Sequence, residues 1–190
     1  ALAPLIYGAI PVFADVELET GCLDPNSIRE RISKNTKAIL VVHQFGIPAK
    51  MDEIMLIAKE FGIKVIEDCA QAHGCYYKGQ AVGAIGDIGV FSFNRHKVMQ
   101  SGEGGVMVTS NNKIYEKASL FRNHGEAVVE EFGINDITNT IGLNLRMTEL
   151  QAAVGIAQLS KLNHILKKNK KNKDYLKNKI ARSNYFEFRK

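Results

Sequence analysis

The chain has 190 residues, 45% of them hydrophobic and 24% charged, with a formal net charge of +5 at pH 7. This is the mix of an ordinary globular protein with enough length to bury a core, and it excludes collagen-like, mucin-like and wholly disordered chains. No apolar stretch is long enough for a membrane-spanning helix, and the opening ALAPLIYGAI has neither the basic start nor the cleavage site of a signal peptide.

The chain begins on Ala1 in mid-pattern, so a preceding segment is expected. Val12 to Val16 (VFADV) reads as a short strand. Asp24-Pro25 offers an N-cap followed by proline at the first helical position, and a helix is expected to continue from Ser27 to Ile32. Lys37 to His43 contains AILVV, an apolar run that suits a strand buried on both faces of a parallel sheet. Met51 to Phe61 has helical period, with Ile54, Ile57, Ala58 and Phe61 on one face and Gly62 as the stop. Lys64 to Asp68 (KVIED) is another strand. This alternation predicts an α/β fold of three layers, α/β/α, with a mostly parallel sheet and right-handed crossovers.

Residues 69–86 are rich in Gly and Ala and predict a long excursion at the sheet's edge. The three cysteines, Cys22, Cys69 and Cys75, are odd in number and sparse, which favours reduced thiols and a cytoplasmic setting. Cys69, His73 and Cys75 do not have zinc spacing, so small residues packed beside a site are the better reading. Asp87 to Phe93 and Gly105 to Thr109 read as strands, and the short Gly-rich link between them predicts an antiparallel return. Asn111 to Asn123 reads as a helix, and 125–142 as a polar loop. Thr148 to Gln151 is a capping box that opens one long helix through Leu150, Val154, Ala157, Leu162, Ile165 and Leu166. Lys167 to Lys173 continues it as a solvated helix or starts a linker. Residues 161–190 carry a net +9, which leaves −4 for the first 160, so the basic character belongs to the C-terminal segment alone.

Ligands of open α/β sheets bind beyond the carboxyl ends of the strands. There the sequence puts Asp68 and Ser92, with Lys97 five residues further on. Pyridoxal 5′-phosphate needs a lysine for its aldehyde, a carboxylate for its ring nitrogen, and hydroxyl and N–H donors for its phosphate. The three residues match those demands, but a solvent-facing lysine and a strand-ending aspartate have the same spacing. GEGG lacks the dinucleotide fingerprint, and no Walker loop is present. Glu103 reads as a backbone-amide acceptor, and His43, His73, His124 and His164 as ordinary polar or core histidines.

VIEDCAQAHG, GDIGVFSFNRHKVMQSGEGGVMVTS, LFRNHG and GLNLRMTELQAAVGIAQLSKL resemble, in order and spacing, the DegT/DnrJ/StrS sugar aminotransferases, which are fold-type I enzymes. PVFADV and VVHQFGIPAKMDEI are similar to the same family. The resemblance implies pyridoxal 5′-phosphate as cofactor, with Lys97 as the lysine that binds it covalently and acts in catalysis. It implies Asp68 at the pyridine nitrogen, Gln71 near the phenolic oxygen and Ser92 at the phosphate. Asn144 is similar to an asparagine that reaches the phosphate of the neighbouring subunit. A homodimer with shared sites follows, acting on a nucleotide-linked keto sugar and an amino-acid donor, glutamate in most of the family. The setting implied is nucleotide-sugar biosynthesis for lipopolysaccharide or other polysaccharides. Residues 1–160 would be part of the cofactor-binding large domain, and 161–190 a long basic helix or linker toward a small C-terminal domain.

Two other readings stand beside this one. Some family members carry His at the lysine position and dehydrate; here that position holds Lys97, with His96 just before it, and a dehydratase or sensory relative is the alternative. A basic tail that binds nucleic acid would show steep salt dependence. The tail has few aromatics among its charges, so neither nucleic acid nor membrane is expected as a partner.

Overall fold

The computed structural model describes residues 2–126 and 128–181. Helix α1 spans Leu2–Ile6. The strand expected at Val12 to Val16 does not form, since Val16 makes only an isolated antiparallel bridge with Leu23. Asp15 instead donates its N–H to Ser27 Oγ (2.8 Å), and its carbonyl accepts from Asp24 N–H (3.0 Å). The segment is thus tied to the start of helix α2 (Pro25–Arg31) and not to a sheet. Asp24 caps α2 as expected, accepting from Asn26 N–H at 2.9 Å.

Strand β1 (Ala38–Val42), helix α3 (Met51–Phe61) and strand β2 (Lys64–Asp68) follow at the expected positions. Helix α3 buries Met51, Ile54, Ile57 and Ala58 against Ile39, Val41, Val65 and Ile28, and stops at Gly62 with φ 64°. Phe61, expected on the buried face, is 44% exposed at the rim, with the Arg29 guanidinium 6.0 Å from its ring centroid.

Within 69–86, β3 (Tyr76–Tyr77) and β4 (Gln80–Ala81) form a small hairpin. Its turn is Lys78-Gly79, with φ of 48° and 86°, the double positive φ of a tight hairpin turn. Lys-Gly lacks the Asn-Gly or Asp-Gly signal, so the hairpin did not stand out in the sequence. Tyr77 and Lys78 anchor it by donating to the Asp52 carboxylate on α3.

Strands β5 (Ile88–Ser92) and β6 (Gly105–Val108) complete a sheet of order β1-β2-β5-β6. The first three strands are parallel and β6 returns antiparallel, as its short link requires. Alternation along β1 buries Ile39 and Val41 and leaves Leu40 44% exposed. Val90 and Met107 share that uncovered face, so β1 is not buried on both faces among the described residues.

Helix α4 (Asn112–Arg122) is capped by Asn111, and α5 (Glu149–Leu159) by the Thr148–Gln151 box. The single long helix expected from Leu150 onward is two, because α6 (Leu162–Ile180) starts afresh. Lys161 N–H bonds the Gln158 carbonyl three residues back (3.0 Å), and the Ser160 hydroxyl bonds Ala157 (2.9 Å), which tightens the turn. The lysine run lies exposed on α6; residues 182–190 of the expected basic linker fall outside the described residues. No helix is long and apolar enough to cross a membrane among the described residues.

Candidate active site

Two neighbouring parallel strands present polar side chains at one edge. Asp68 pairs with Val90 across β2 and β5, so Asp68 and Ser92, two residues past Val90, point to the same face. Asp68 Oδ1 accepts from Ala70 N–H at 3.0 Å and turns the chain out of β2. Gln71 lies in the following loop, where its Oε1 accepts the Phe45 N–H at 2.8 Å. Cys75 Sγ donates to the Gly46 carbonyl at 3.3 Å, so the loop after β2 is sewn to the loop after β1.

Lys97 follows Ser92 on the link between β5 and β6. Asn94 shapes this link: its carbonyl accepts from Lys97 N–H (2.9 Å), and its side chain accepts from His96 N–H (3.1 Å). The Asn94 amide also donates to Glu103 (2.7 Å), and Arg95 N–H reaches the Gly102 carbonyl (2.8 Å). These bonds close the neck of the loop and leave Lys97 half-buried near its tip. Glu103, expected to hold only backbone amides, in fact holds the Asn94 side chain.

Asn144 is exposed and lies elsewhere. It bridges Asn123, and its side chain accepts weakly from Arg146 N–H (3.5 Å). Arg146 in turn donates to Asn123 Oδ1 (2.8 Å). The structure therefore places Asp68, Gln71, Ser92 and Lys97 at or just beyond the carboxyl ends of β2 and β5, while Asn144 makes no hydrogen bond to them among the described residues.

Beneath this edge is a buried polar pair that sequence reasoning did not connect. Glu67 and His43 are both fully buried, with His43 Nε2 2.9 Å from Glu67 Oε2. His43 Nδ1 accepts from Ala49 N–H (3.2 Å), so the proton sits on Nε2 and the ring is a neutral donor. Glu67 also accepts from the N–H groups of Gly83, Ile85 and Gly86. Cys69 approaches the same pair, and together they could be taken for a metal site. The ligand atoms of His43 and Glu67 are already engaged, and burial raises the Cys69 thiol to about 12, so a fixed hydrogen-bond cluster is the better account.

His73 is the exception among the histidines. It is 4% exposed, packed against Phe91 (5.6 Å between ring centroids) and Phe93 (6.1 Å). Neither ring nitrogen has a hydrogen-bond partner among the described residues. Burial lowers its pKa; the Ser92 backbone, near but out of bonding geometry, offsets part of this, and the Lys97 charge lowers it further. The unfolded imidazole takes a proton near pH 6.5, and the folded one only at lower pH. This contribution to stability is therefore complete above that pH and is lost as pH falls toward the folded value. The melting temperature of the protein is expected to fall more steeply from about pH 7 to about pH 5.5 than that of His73→Phe. Equal slopes in thermal melts across that range would show that the fold accepts the proton freely.

A mostly parallel sheet with an acid and a hydroxyl at its carboxyl edge and a lysine just beyond has the form of an α/β ligand-binding domain. The sequence pattern of the DegT/DnrJ/EryC1/StrS aminotransferase family matches residues 2–189, and the chain belongs to that family. GDP-perosamine synthase of Escherichia coli O157:H7 is 39% identical over 173 residues, covering 91% of this chain and 46% of the relative. DesI, solved in the presence of its TDP-sugar product, is 32% identical with a TM-score of 0.81, over 90% of this chain and 42% of that one. The E. coli GDP-4-keto-6-deoxy-D-mannose-3-dehydratase with bound hydrated PLP is 28% identical with a TM-score of 0.85, over 97% and 51%. The chain thus spans about half or less of the length of these relatives.

Proposed function

We propose that this chain is part of the large domain of a pyridoxal 5′-phosphate-dependent aminotransferase. It would move an amino group from an amino acid, glutamate by preference, to the keto group of a nucleotide-linked deoxysugar. The observation that carries this reading is the shared edge: Asp68 and Ser92 on one face of adjacent parallel strands, with Lys97 on a neck-closed loop beyond.

The donor set fits the cofactor. Asp68 has one oxygen without a hydrogen bond, the Ser92 oxygen accepts from Asn94 N–H (3.3 Å) while its proton is unused, and Lys97 makes no ion pair, all among the described residues. Lys97 Nζ would hold the aldehyde carbon, Asp68 the ring nitrogen, Gln71 the phenolic oxygen and Ser92 a phosphate oxygen. Asn144 would serve the phosphate in a neighbouring subunit's site. When bound, the protonated pyridine ring supplies an electron sink for bond breaking at an amino acid's α-carbon. The Asp68 carboxylate keeps that ring nitrogen protonated. The Lys97 amine would take the α-proton of the donor as a base and deliver it, from the same nitrogen as an acid, to the cofactor carbon that carried the aldehyde.

Leu150, Val154, Ile156 and Leu159 are exposed along α5, which supports burial of that helix in a homodimer. A cytoplasmic location and a role in polysaccharide assembly belong to the same reading, with neither nucleic acid nor membrane as partner. Residues 1–160 would lie in the large domain and 161–190 lead toward a small one. Borohydride treatment of the cofactor-loaded protein should fix the label on the peptide that contains Lys97, and glutamate should shift the visible cofactor band. A label elsewhere sinks the site assignment. A Lys97 label with no response to glutamate favours the sensory or dehydratase relative instead.

A further inference from the structure

The turn that joins β1 to α3 contains a conformation its sequence does not favour. Phe45 has φ 54° and ψ 29°, the left-handed region that non-glycine residues avoid. Its ring is 72% exposed, so burial of the ring does not explain the placement. Contacts to the loop after β2 do. Phe45 N–H donates to Gln71 Oε1 at 2.8 Å, and the Gly46 carbonyl accepts from Cys75 Sγ at 3.3 Å. Gly46, with φ 81°, lies against the same loop, where a Cβ would make ordinary contact with the Gln71 carbonyl (3.4 Å) and Cys75 Sγ (3.5 Å). On its other side the turn is anchored by His43, bonded to both Glu67 and Ala49.

We propose that the left-handed turn at Phe45 is a positioning device that fixes which end of the Gln71 side-chain amide faces the cofactor. A carboxamide has an accepting oxygen and a donating nitrogen, and a backbone N–H can bond only the oxygen. The Phe45 N–H therefore holds Oε1 toward β1 and turns Nε2, with no other partner among the described residues, the opposite way. Gln71 lies three residues past Asp68, at the edge where the cofactor would sit. An ionised phenolic oxygen there needs a donor; a flipped amide would offer it a lone pair. This inference rests on the assignment of Gln71 to that oxygen. Phe45 acts through Gln71 and is a positioning residue, not a catalytic one.

The test is the pH midpoint of the visible band in the full-length, cofactor-loaded protein. A donor at the phenolic oxygen favours the form in which the shared proton has left and the oxygen carries its full charge. Loss of the donor therefore raises the midpoint. Gln71→Ala should raise it by about one pH unit, the scale of one hydrogen bond to a charged group. Phe45→Val, which resists positive φ, should raise it by a similar amount, while Phe45→Gly, which adopts positive φ freely, should keep the wild-type midpoint. The double variant Gln71→Ala with Phe45→Val should match Gln71→Ala alone. A shift with Gln71→Ala but none with Phe45→Val, or additive shifts in the double variant, overturns this proposal and leaves the Gln71 assignment standing. No shift with Gln71→Ala overturns both. Should Phe45→Val not fold, Phe45→Ala takes its place in the comparison with Phe45→Gly.

Discussion

Replacing Lys97 by alanine is expected to slow the half-reaction with an amino donor by roughly 10²–10⁴-fold, the usual range for a positioned acid–base group. The melting temperature should stay close to that of the unchanged protein. The side chain is half-buried and pairs with no carboxylate among the described residues, so little of the fold depends on it. Its loop is closed by the Asn94–Glu103 bond and the Arg95–Gly102 backbone bond, and the Lys97 N–H bond to Asn94 survives in alanine. His96 does not replace the lost amine, because its Nε2 accepts from Arg95 Nε (3.1 Å) and the ring is exposed. Rapid-mixing absorbance with glutamate on the cofactor-loaded protein, alongside thermal melts, separates the two effects. An unchanged half-reaction rate would remove Lys97 from the mechanism.

The second large effect concerns stability. Glu67→Ala is expected to cost about 3–5 kcal/mol, because each buried donor left without its acceptor costs about 1–3 kcal/mol and relaxation recovers part of the sum. A domain is typically stable by about 5–15 kcal/mol, so this is a large part of the total. Glu67 accepts from His43 Nε2 (2.9 Å) and from the N–H groups of Gly83 (2.8 Å), Ile85 (2.8 Å) and Gly86 (2.6 Å). Alanine would leave all four donors without this partner, those of His43 and Gly83 buried and those of Ile85 and Gly86 half-buried. Glu67→Gln should also destabilise, because its NH₂ must face one of those N–H donors. Burial alone would raise the Glu67 pKa, but the His43 and backbone donors outweigh it and hold it below the ordinary carboxylate value. Its stabilisation is therefore complete above about pH 4.5 and is lost as pH falls through the lower folded value. Urea unfolding at neutral pH measures the loss, and a change below about 1 kcal/mol would show that the network contributes little. Because Glu67 immediately precedes Asp68, the same bonds fix the end of β2 on which the proposed site depends.

How far each feature could be read from the chain follows from how far apart its partners lie. Asp24, Gly62, Asn111 and the Thr148–Gln151 box act within a turn of their own helices, and the predicted ends hold. The apolar period of 51–61 and the strand-length runs at 38–42 and 64–68 are local in the same sense. VFADV looked like a strand but has no ladder to join, and the helix from Thr148 breaks at Ser160 and Lys161 through local bonds that the apolar period does not reveal. In the site, Asp68 and Ser92 stood out because each ends its own strand, and Lys97 because it follows Ser92 closely on the link to β6. Phe45 and Glu67 did not: an aromatic in a loop and an acid in a strand look ordinary until their partners arrive.

By itself, then, the amino-acid order determined helices α2 to α4 and the capped start of α5, the parallel β1 and β2, the antiparallel return of β6 and the edge on which reactive side chains collect. Those outcomes depend on torsional preference, side-chain period and short loops, whose closure costs little entropy. Tertiary structure alone decided that Phe45 N–H meets Gln71 from 26 residues away, and that the Glu67 carboxylate meets backbone N–H groups 16 to 19 residues further on. Such contacts are made only once packing has brought distant segments together, and no local pattern specifies which donor will face which acceptor.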